Sequence, residues 1–268
     1  MHDKYDIIYS MGATCGCAML MNYEGLRTFS GPFDWIVNVN GLYESFAFMM
    51  NGFSDFFNYE DFKVRTAPKP FDPRYHAYEN IKTGYIFVHD FPKEIPMEES
   101  FDAVKKKYYH RIERFYRLIT EKDRVLLIWY GIPNYAASDA FITTDEKLIE
   151  LCEKFCRKMN KTIDFLIIEH TEGVYQPIKR RIADNIVRYN CHTLANNSNS
   201  ENAWLGNRKL VQPIFAHYKL HVPWSTALKY GLAKPLILFS SNFLFTKNAR
   251  RNFREKMFRK WKIPEGKR

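Results

Sequence analysis

Short apolar runs alternate with amphipathic segments along this chain, and that alternation constrains the fold more than any other feature. The runs Tyr5–Ser10, Val125–Tyr130 and Ile186–Cys191 have the length and the side chains of buried strands. Apolar residues recur every three or four positions in 98–120 and 143–159, which predicts helices between them. We therefore expect an α/β fold, a layered structure with a mostly parallel central sheet flanked by helices.

Weaker patterns complete this outline. We expect further strands at Ile163–Glu169 and at Tyr85–Val88, the latter ending at His89, and a long proline-containing loop over Lys63–Glu79. The other expected helices are Cys15–Tyr23, Gly41–Met50 and Asn207–Leu220, and a capping box of Thr143 with Glu146 precedes the helix that ends near Met159.

The positive charge of the chain is concentrated in one segment. Residues 247–268 contain ten Lys or Arg and two Glu, a net charge of +8 out of +10 for the whole chain. Phe253, Met257 and Trp261 recur every four residues among these basic side chains, which predicts a basic amphipathic helix. We expect one catalytic-type domain over 1–246 and a tail, 247–268, that either binds an anionic membrane surface or packs on the body.

Composition limits the remaining partners and the compartment. Five cysteines are too few for a disulfide framework in a chain of 268 residues. The chain has no apolar leader after Met1, and the apolar run 235–245 is too short to cross a bilayer. We expect a cytoplasmic protein, peripheral on the inner membrane face if the tail binds lipid, and no nucleic-acid partner, because 1–246 is nearly neutral.

The first predicted strand leads into a cysteine. Cys15 follows a turn containing Gly12 and begins the predicted helix Cys15–Tyr23. Unpaired backbone N–H groups and the dipole at a helix N-terminus favour a thiolate. Cys15 is therefore the first candidate nucleophile, and a small buried core residue is the alternative.

A cysteine nucleophile needs a base and a group that orients the base. His89, at the end of a predicted strand, is the candidate base for Cys15. Asp34 and Asp90 are the candidate orienting groups. Because neighbours on a strand point to opposite faces, Asp34 is the better motivated of the two.

Other polar residues have two readings each. Arg27 either binds an anionic substrate group or pairs with Asp34, and Trp35 either contacts substrate or belongs to the core. His217 and His221 have the spacing of two metal ligands on one helix face, but the glutamate of a metalloprotease motif is missing. We expect no metal and no cofactor, since no nucleotide-binding glycine motif is present either.

Several short motifs together resemble a bacterial family described as papain-like cysteine peptidases, whose members often accompany surface-polysaccharide genes. The resemblance covers about residues 5–115. It is carried by Ser10-Met11-Gly12-x-x-Cys15, Leu26-Arg27, Pro32-Phe33-Asp34-Trp35, Phe87-Val88-His89-Asp90-Phe91 and Lys107-Tyr108-x-x-Arg111.

This resemblance implies Cys15 as nucleophile, His89 as base and Asp34 or Asp90 as the third group. It also implies a papain-like α+β fold, which is the alternative to the α/β pattern. The expected function is a cysteine hydrolase of the peptidase or acyl-transfer type, acting in surface-polysaccharide assembly. The alternatives are a glycan-assembly transferase and a non-catalytic binding protein with a structural Cys15. The sequence names no substrate.

Overall fold

The computed structural model describes residues 4–66, 72–133, 144–196, 202–221, 224–244 and 246–260. The described helices are α1 (Cys15–Tyr23), α2 (Leu42–Asn51), α3 (Met97–Glu121), α4 (Asp145–Met159), α5 (Arg208–Ala216), α6 (Trp224–Ser241) and α7 (Lys247–Lys260). The described strands are β1 (Lys4–Tyr5), β2 (Ile7–Ala13), β3 (Ile36–Asn38), β4 (Phe62–Val64), β5 (Tyr75–Asn80), β6 (Tyr85–Pro92), β7 (Val125–Tyr130), β8 (Asp164–His170), β9 (Ile178–Ala183), β10 (Ile186–Cys191) and β11 (Lys219–Leu220).

Five strands form a central sheet in the order β2-β7-β8-β10-β9. The first four are parallel, and β9 pairs antiparallel with β10 at one edge. Helices α2, α3 and α4 pack on one face, and α1 and α5 pack on the other. Strands β2 and β7 are buried along their whole length, as expected of parallel strands covered on both faces. The expected mostly parallel sheet is therefore present.

A second sheet was not expected. Strands β3, β6, β5 and β4 form an antiparallel sheet in that order. Much of Lys63–Glu79, which the sequence assigned to a loop, belongs to β4 and β5, while Pro68 and Pro70 lie outside the described residues. The molecule is thus a mixed α/β structure in which a parallel and an antiparallel sheet coexist, compatible with either fold class expected from the sequence.

Two helix predictions change. The segment expected to be helical over Asn207–Leu220 leaves the helix after Ala216, because the chain then forms β11 and pairs with β1. The helix expected from 143 is capped by Thr144, whose hydroxyl accepts from Lys147 N at 3.3 Å, and Thr143 lies outside the described residues.

The two last helices pack on each other. Phe253, Met257 and Phe258 of α7 lie against Ala233 and Ile237 of α6. The apolar side of the predicted basic helix is therefore covered by α6, as in the alternative in which the tail packs on protein. Trp261 and the rest of the tail lie outside the described residues. No helix in the described part of the chain is long and apolar enough to span a membrane.

Candidate active site

Cys15 lies just after the end of β2, at the edge of the parallel sheet where the strands have their carboxyl ends. Two residues of β2, Met11 and Gly12, oppose the single residue Trp129 of β7, so the strand bulges before it ends. Gly12 has φ of 104°, a conformation that a residue with a Cβ rarely adopts. The Thr14 hydroxyl then accepts from Gly16 N at 3.1 Å and caps α1. Cys15 is therefore the first residue of a capped helix, as the sequence predicted.

A bulge in the antiparallel sheet determines the direction of the His89 side chain. Ala77 of β5 opposes three residues of β6, Val88 to Asp90, because the pairing shifts between His76 and Tyr78. The sequence predicted that this strand ends at His89, but β6 continues to Pro92. The extra residues turn the His89 side chain toward Cys15 and the Asp90 side chain toward α3.

Cys15 and His89 face each other between the two sheets. The Sγ of Cys15 lies 3.9 Å from Nε2 of His89. Cys15 is partly buried and packs against an apolar patch of the antiparallel sheet formed by Val37, Ile86 and Val88. The distance suits proton exchange between a thiol and an imidazole, allowing for the loose geometry of an unliganded site.

Aromatic rings hold the imidazole on two sides. The rings of Trp35 and Tyr75 both stand edge-on to His89, with centroids 6.3 Å away. Trp35 is partly buried, donates its indole N–H to Ser30 at 3.1 Å and has φ of 69°. It is thus a wall of the candidate site, and its contact with substrate stays a prediction.

The carboxylate opposite the second ring nitrogen of His89 belongs to Asp72. Its Oδ2 lies 3.5 Å from His89 Nδ1. Arg74 fixes this carboxylate with two side-chain hydrogen bonds, Nε to Oδ1 at 3.0 Å and Nη2 to Oδ2 at 2.8 Å, and with its backbone N–H. These hydrogen bonds lower the pKa of Asp72 to about 2, so the group is ionised at neutral pH.

Burial and charge act against a preformed thiolate. Desolvation raises the pKa of Cys15 to about 11, the backbone N–H of Cys15 acts in the opposite direction, and the negative charge of Asp34 raises it further. The sequence predicted a thiolate from the helix N-terminus alone and could not include the apolar patch that covers the thiol. Cys15 is therefore a neutral thiol near pH 7.

Asp34 is occupied by Arg27. Arg27 Nε donates to Asp34 Oδ2 at 2.9 Å, and Gly31 N donates to the same oxygen at 3.0 Å. Both side chains of the ion pair are almost fully buried. Arg27 also lies 4.8 Å from the Trp35 ring, so the pair supports the wall of the site. Of the two readings of Arg27, the geometry matches the salt bridge.

The carboxylate of Asp90 makes its hydrogen bonds on the other side of β6. Its carboxylate accepts from the Tyr108 hydroxyl at 2.8 Å and from the Lys107 ammonium, both on α3. Its side chain is 3% exposed. This geometry anchors α3 to the antiparallel sheet and turns the carboxylate away from His89.

The sequence did not single out Asp72. Its only signal was its place in the loop expected over Lys63–Glu79, next to Pro73. The pairing of β5 with β6 brings the start of β5 beside His89, and no local spacing encodes that register.

The histidine pair suggested as a metal site is separated. His217 follows the end of α5, and its ring makes an edge-to-face contact with Tyr218. His221 Nδ1 lies 3.1 Å from Asp6 Oδ1. Because the helix ends at Ala216, the four-residue spacing no longer places both rings on one face. A different group, His170 with Glu172 and His192, has ligand atoms within 4.8 Å of one another.

Comparison with known proteins agrees with the sequence motifs. The chain is 28% identical over 179 residues to an uncharacterized protein of Acanthamoeba polyphaga mimivirus, covering 61% of this chain and 77% of the viral protein. No solved structure is detectably similar. Residues 6–173 match the model of a family described as "Putative papain-like cysteine peptidase (DUF1796)". This match spans more than half of the chain and includes Cys15, His89 and Asp72, and the protein therefore belongs to that family.

Proposed function

We propose that the protein is a cysteine hydrolase that acts through a thioester on Cys15, with His89 as the base and Asp72 as the group that orients the base. The observation that carries this proposal is the line of three side chains, with Sγ 3.9 Å from Nε2 and Nδ1 3.5 Å from the carboxylate. The family supports a cysteine hydrolase in general terms.

The geometry supports a general-base step. An ionised Asp72 favours the His89 tautomer with the proton on Nδ1, which leaves the Nε2 lone pair directed at the thiol. When Sγ attacks a carbonyl carbon, its proton passes to Nε2 and the carbonyl oxygen becomes negative. That charge develops near the N-terminus of α1, whose dipole stabilises it.

The second half of the cycle reverses these transfers. The imidazolium gives its proton to the leaving amine or alcohol, and the acyl group remains on Sγ as a thioester. Water then gives a proton to Nε2 and attacks the thioester; the C–S bond breaks, Sγ takes the proton back from Nε2, and the acid is released with the thiol regenerated. An acceptor other than water makes the same site an acyl transferase.

The test uses p-nitrophenyl acetate as an activated acyl donor. We expect a single acetyl group on Cys15, detected by peptide mass spectrometry and removed by hydroxylamine. Cys15→Ala should abolish the adduct, and His89→Ala should slow its formation by about 10²–10⁴-fold. Asp72→Asn should slow it by roughly tenfold or more, because the amide no longer favours the required tautomer.

Asp55→Asn is the matched control, since Asp55 is also a carboxylate paired with a cation, Lys82 at 3.5 Å. It should acylate at the wild-type rate. Acetylation of another cysteine at the same rate, or an Asp72→Asn protein as fast as the control, would contradict the assigned roles.

Peptide cleavage and a role in surface-polysaccharide assembly remain predictions of the family resemblance, and a cytoplasmic location remains a prediction from the composition of the chain. The glycan-transferase alternative predicts heat on titration with nucleotide sugars, and the binding-protein alternative predicts that Cys15→Ala lowers stability without changing any binding activity.

A row of exposed apolar side chains favours peripheral membrane association as a second proposal. On α6 and just beyond its end, apolar residues spaced by three or four positions are 48% to 69% exposed, namely Leu228, Leu232, Leu236, Phe239 and Phe243. The adjoining α7 carries seven Lys or Arg and one Glu. A helix with an apolar stripe beside dense positive charge is suited to an anionic lipid surface.

Sedimentation with vesicles tests this second proposal. The protein should bind phosphatidylserine-containing vesicles more than pure phosphatidylcholine vesicles, and less at high salt. A Leu232→Ser, Phe239→Ser double variant should lose binding, whereas Ile81→Ser, Ile95→Ser removes exposed apolar side chains elsewhere and should bind normally. Equal binding by both double variants would contradict the proposal.

A further inference from the structure

Two histidines and a glutamate meet at the carboxyl ends of β8 and β10. His170 is the last residue of β8, His192 follows the last residue of β10, and Glu172 lies two residues beyond His170. Their ligand atoms lie within 4.8 Å of one another. Because β2, β8 and β10 are parallel strands of one sheet, the group lies on the same sheet edge as Cys15.

Two distances within the group are close to the edge length of a metal coordination tetrahedron. His170 Nε2 lies 3.2 Å from Glu172 Oε2, and His192 Nδ1 lies 3.4 Å from Glu172 Oε1. With bonds of about 2.0–2.1 Å to Zn²⁺, neighbouring ligand atoms of a tetrahedral site are about 3.3–3.4 Å apart. Each histidine nitrogen therefore lies at this separation from one of the two Glu172 oxygens, and the ligand atoms of all three residues lie within 4.8 Å of one another.

His192 supplies independent support. It is 8% exposed, and its Nδ1 is a buried atom that makes no hydrogen bond among the described residues, although Glu172 Oε1 lies 3.4 Å away. The backbone of His192 is fixed by its N–H bond to Val174 O at 2.7 Å, and its ring packs on Tyr175 with centroids 4.7 Å apart. A buried ring nitrogen without a hydrogen bond is unfavourable, and a metal bond would satisfy it.

Thr193 provides the outer contact that a histidine ligand needs. Its Oγ1 donates to Gly131 O at 2.7 Å and lies 3.2 Å from His170 Nδ1, where it can accept the proton of that nitrogen. Thr193 N also lies 3.1 Å from Nδ1 and favours the opposite tautomer. This hydrogen bond opposes the tautomer that metal binding needs, and it therefore weakens the affinity for the ion.

We propose that His170, Glu172 and His192 bind one divalent transition metal ion, Zn²⁺ by the chemistry of the donors, with water at the fourth position. Thr193 directly follows the ligand His192, and its carbonyl accepts from Asn207 N at 2.7 Å. The residues just before Asn207 contact α1. This site does not depend on the proposed hydrolase activity.

These three ligands have no compact motif in the sequence, so they were not among the candidate metal ligands. His170 and Glu172 are separated from His192 by a hairpin that contains β9 and β10. Only the parallel pairing of β10 with β8, which places Cys191 beside His170, brings them together.

Cobalt and zinc binding test the proposal directly. The Cys15→Ala protein is used throughout, because Cys15 and His89 could otherwise bind the ion. After treatment with EDTA, it should take up one Zn²⁺ per chain by calorimetry. With Co²⁺ it should give visible d–d bands without a sulfur-to-cobalt charge-transfer band, since no ligand is a thiolate.

Substitutions identify the ligands. His192→Gln and Glu172→Gln should each weaken Co²⁺ binding by roughly tenfold or more. Glu172 is 74% exposed at its side chain, so its variant tests the site without a risk to folding. His221→Gln removes a histidine that is also paired with a carboxylate but lies outside the group, and it should bind as before. Failure to bind Co²⁺, or unchanged affinity in the Glu172→Gln protein, would overturn the proposal.

Discussion

The raised pKa of Cys15 gives a quantitative prediction for its reactivity. A shift from 9.0 to about 11 reduces the thiolate fraction near neutral pH about 100-fold, which corresponds to about 3 kcal/mol against the charged form. The charged form is the disfavoured one, so the thiolate appears only as the pH rises. We predict slow alkylation by iodoacetamide at pH 7, with a rate that increases about tenfold per pH unit toward pH 11.

The assay measures the alkylation rate of the Cys15 peptide by mass spectrometry from pH 7 to about pH 10. The same protein in guanidinium chloride is the internal reference, because unfolding removes the burial and should raise the Cys15 rate at pH 8 about 100-fold. Asp34→Asn should speed alkylation of the folded protein, since the charge of Asp34 contributes to the raised pKa. Asp55→Asn, on the surface, should leave the rate unchanged.

A rate that is already high at pH 7 and constant above it would refute this reasoning. It would mean that Cys15 and His89 form a stable thiolate–imidazolium pair, and that the helix N-terminus outweighs burial. The general-base step would then be wrong, although Cys15 could still be the nucleophile.

Two substitutions and one control variant test the packing of the domain by urea unfolding. Tyr108→Phe removes the hydroxyl that donates to the buried Asp90 and should lower the free energy of unfolding by about 1–3 kcal/mol; an unchanged midpoint would show that water replaces this hydroxyl. Gly206→Ala should cost more than about 2 kcal/mol, because its Cβ would lie 2.3 Å from Thr193 O, whereas Gly52→Ala has a similar positive φ but open space and should cost about 1 kcal/mol. Equal losses for the two alanine variants would contradict the steric argument.

The predictable part of the fold is the part whose burial follows from local sequence. Strand Ile186–Cys191 and helix Cys15–Tyr23 are observed with the expected bounds, because apolar side chains in regular periods determine them. Strand β5, Tyr75–Asn80, was missed because its residues other than Ala77 are polar or aromatic and are mostly half-buried. Its hydrogen bonds to β6, a tertiary feature, make it a strand.

The candidate site shows the same division. The pairing of Cys15 with His89 was proposed from the sequence, since each residue was expected at the end of an element, where α/β proteins place polar groups. The third group was expected among acids close to known motifs, Asp34 and Asp90, and both carboxylates have other buried partners. Asp72 became visible only through the register of the hairpin that carries His89.

That hairpin explains how two adjacent residues come to have different environments. In a regular strand the side chains of successive residues would point to alternate faces of the sheet. The register of β5 with β6 would then decide whether His89 or Asp90 faces the parallel sheet. The three-against-one bulge at Ala77 replaces this alternation, so His89 meets Cys15 while Asp90 reaches α3. Asp72 enters at the start of the same hairpin, so base and orienting carboxylate are positioned by one antiparallel unit and the thiol by the parallel sheet. The distance between thiol and imidazole therefore depends on how the two sheets pack against each other. Local sequence patterns do not determine that packing.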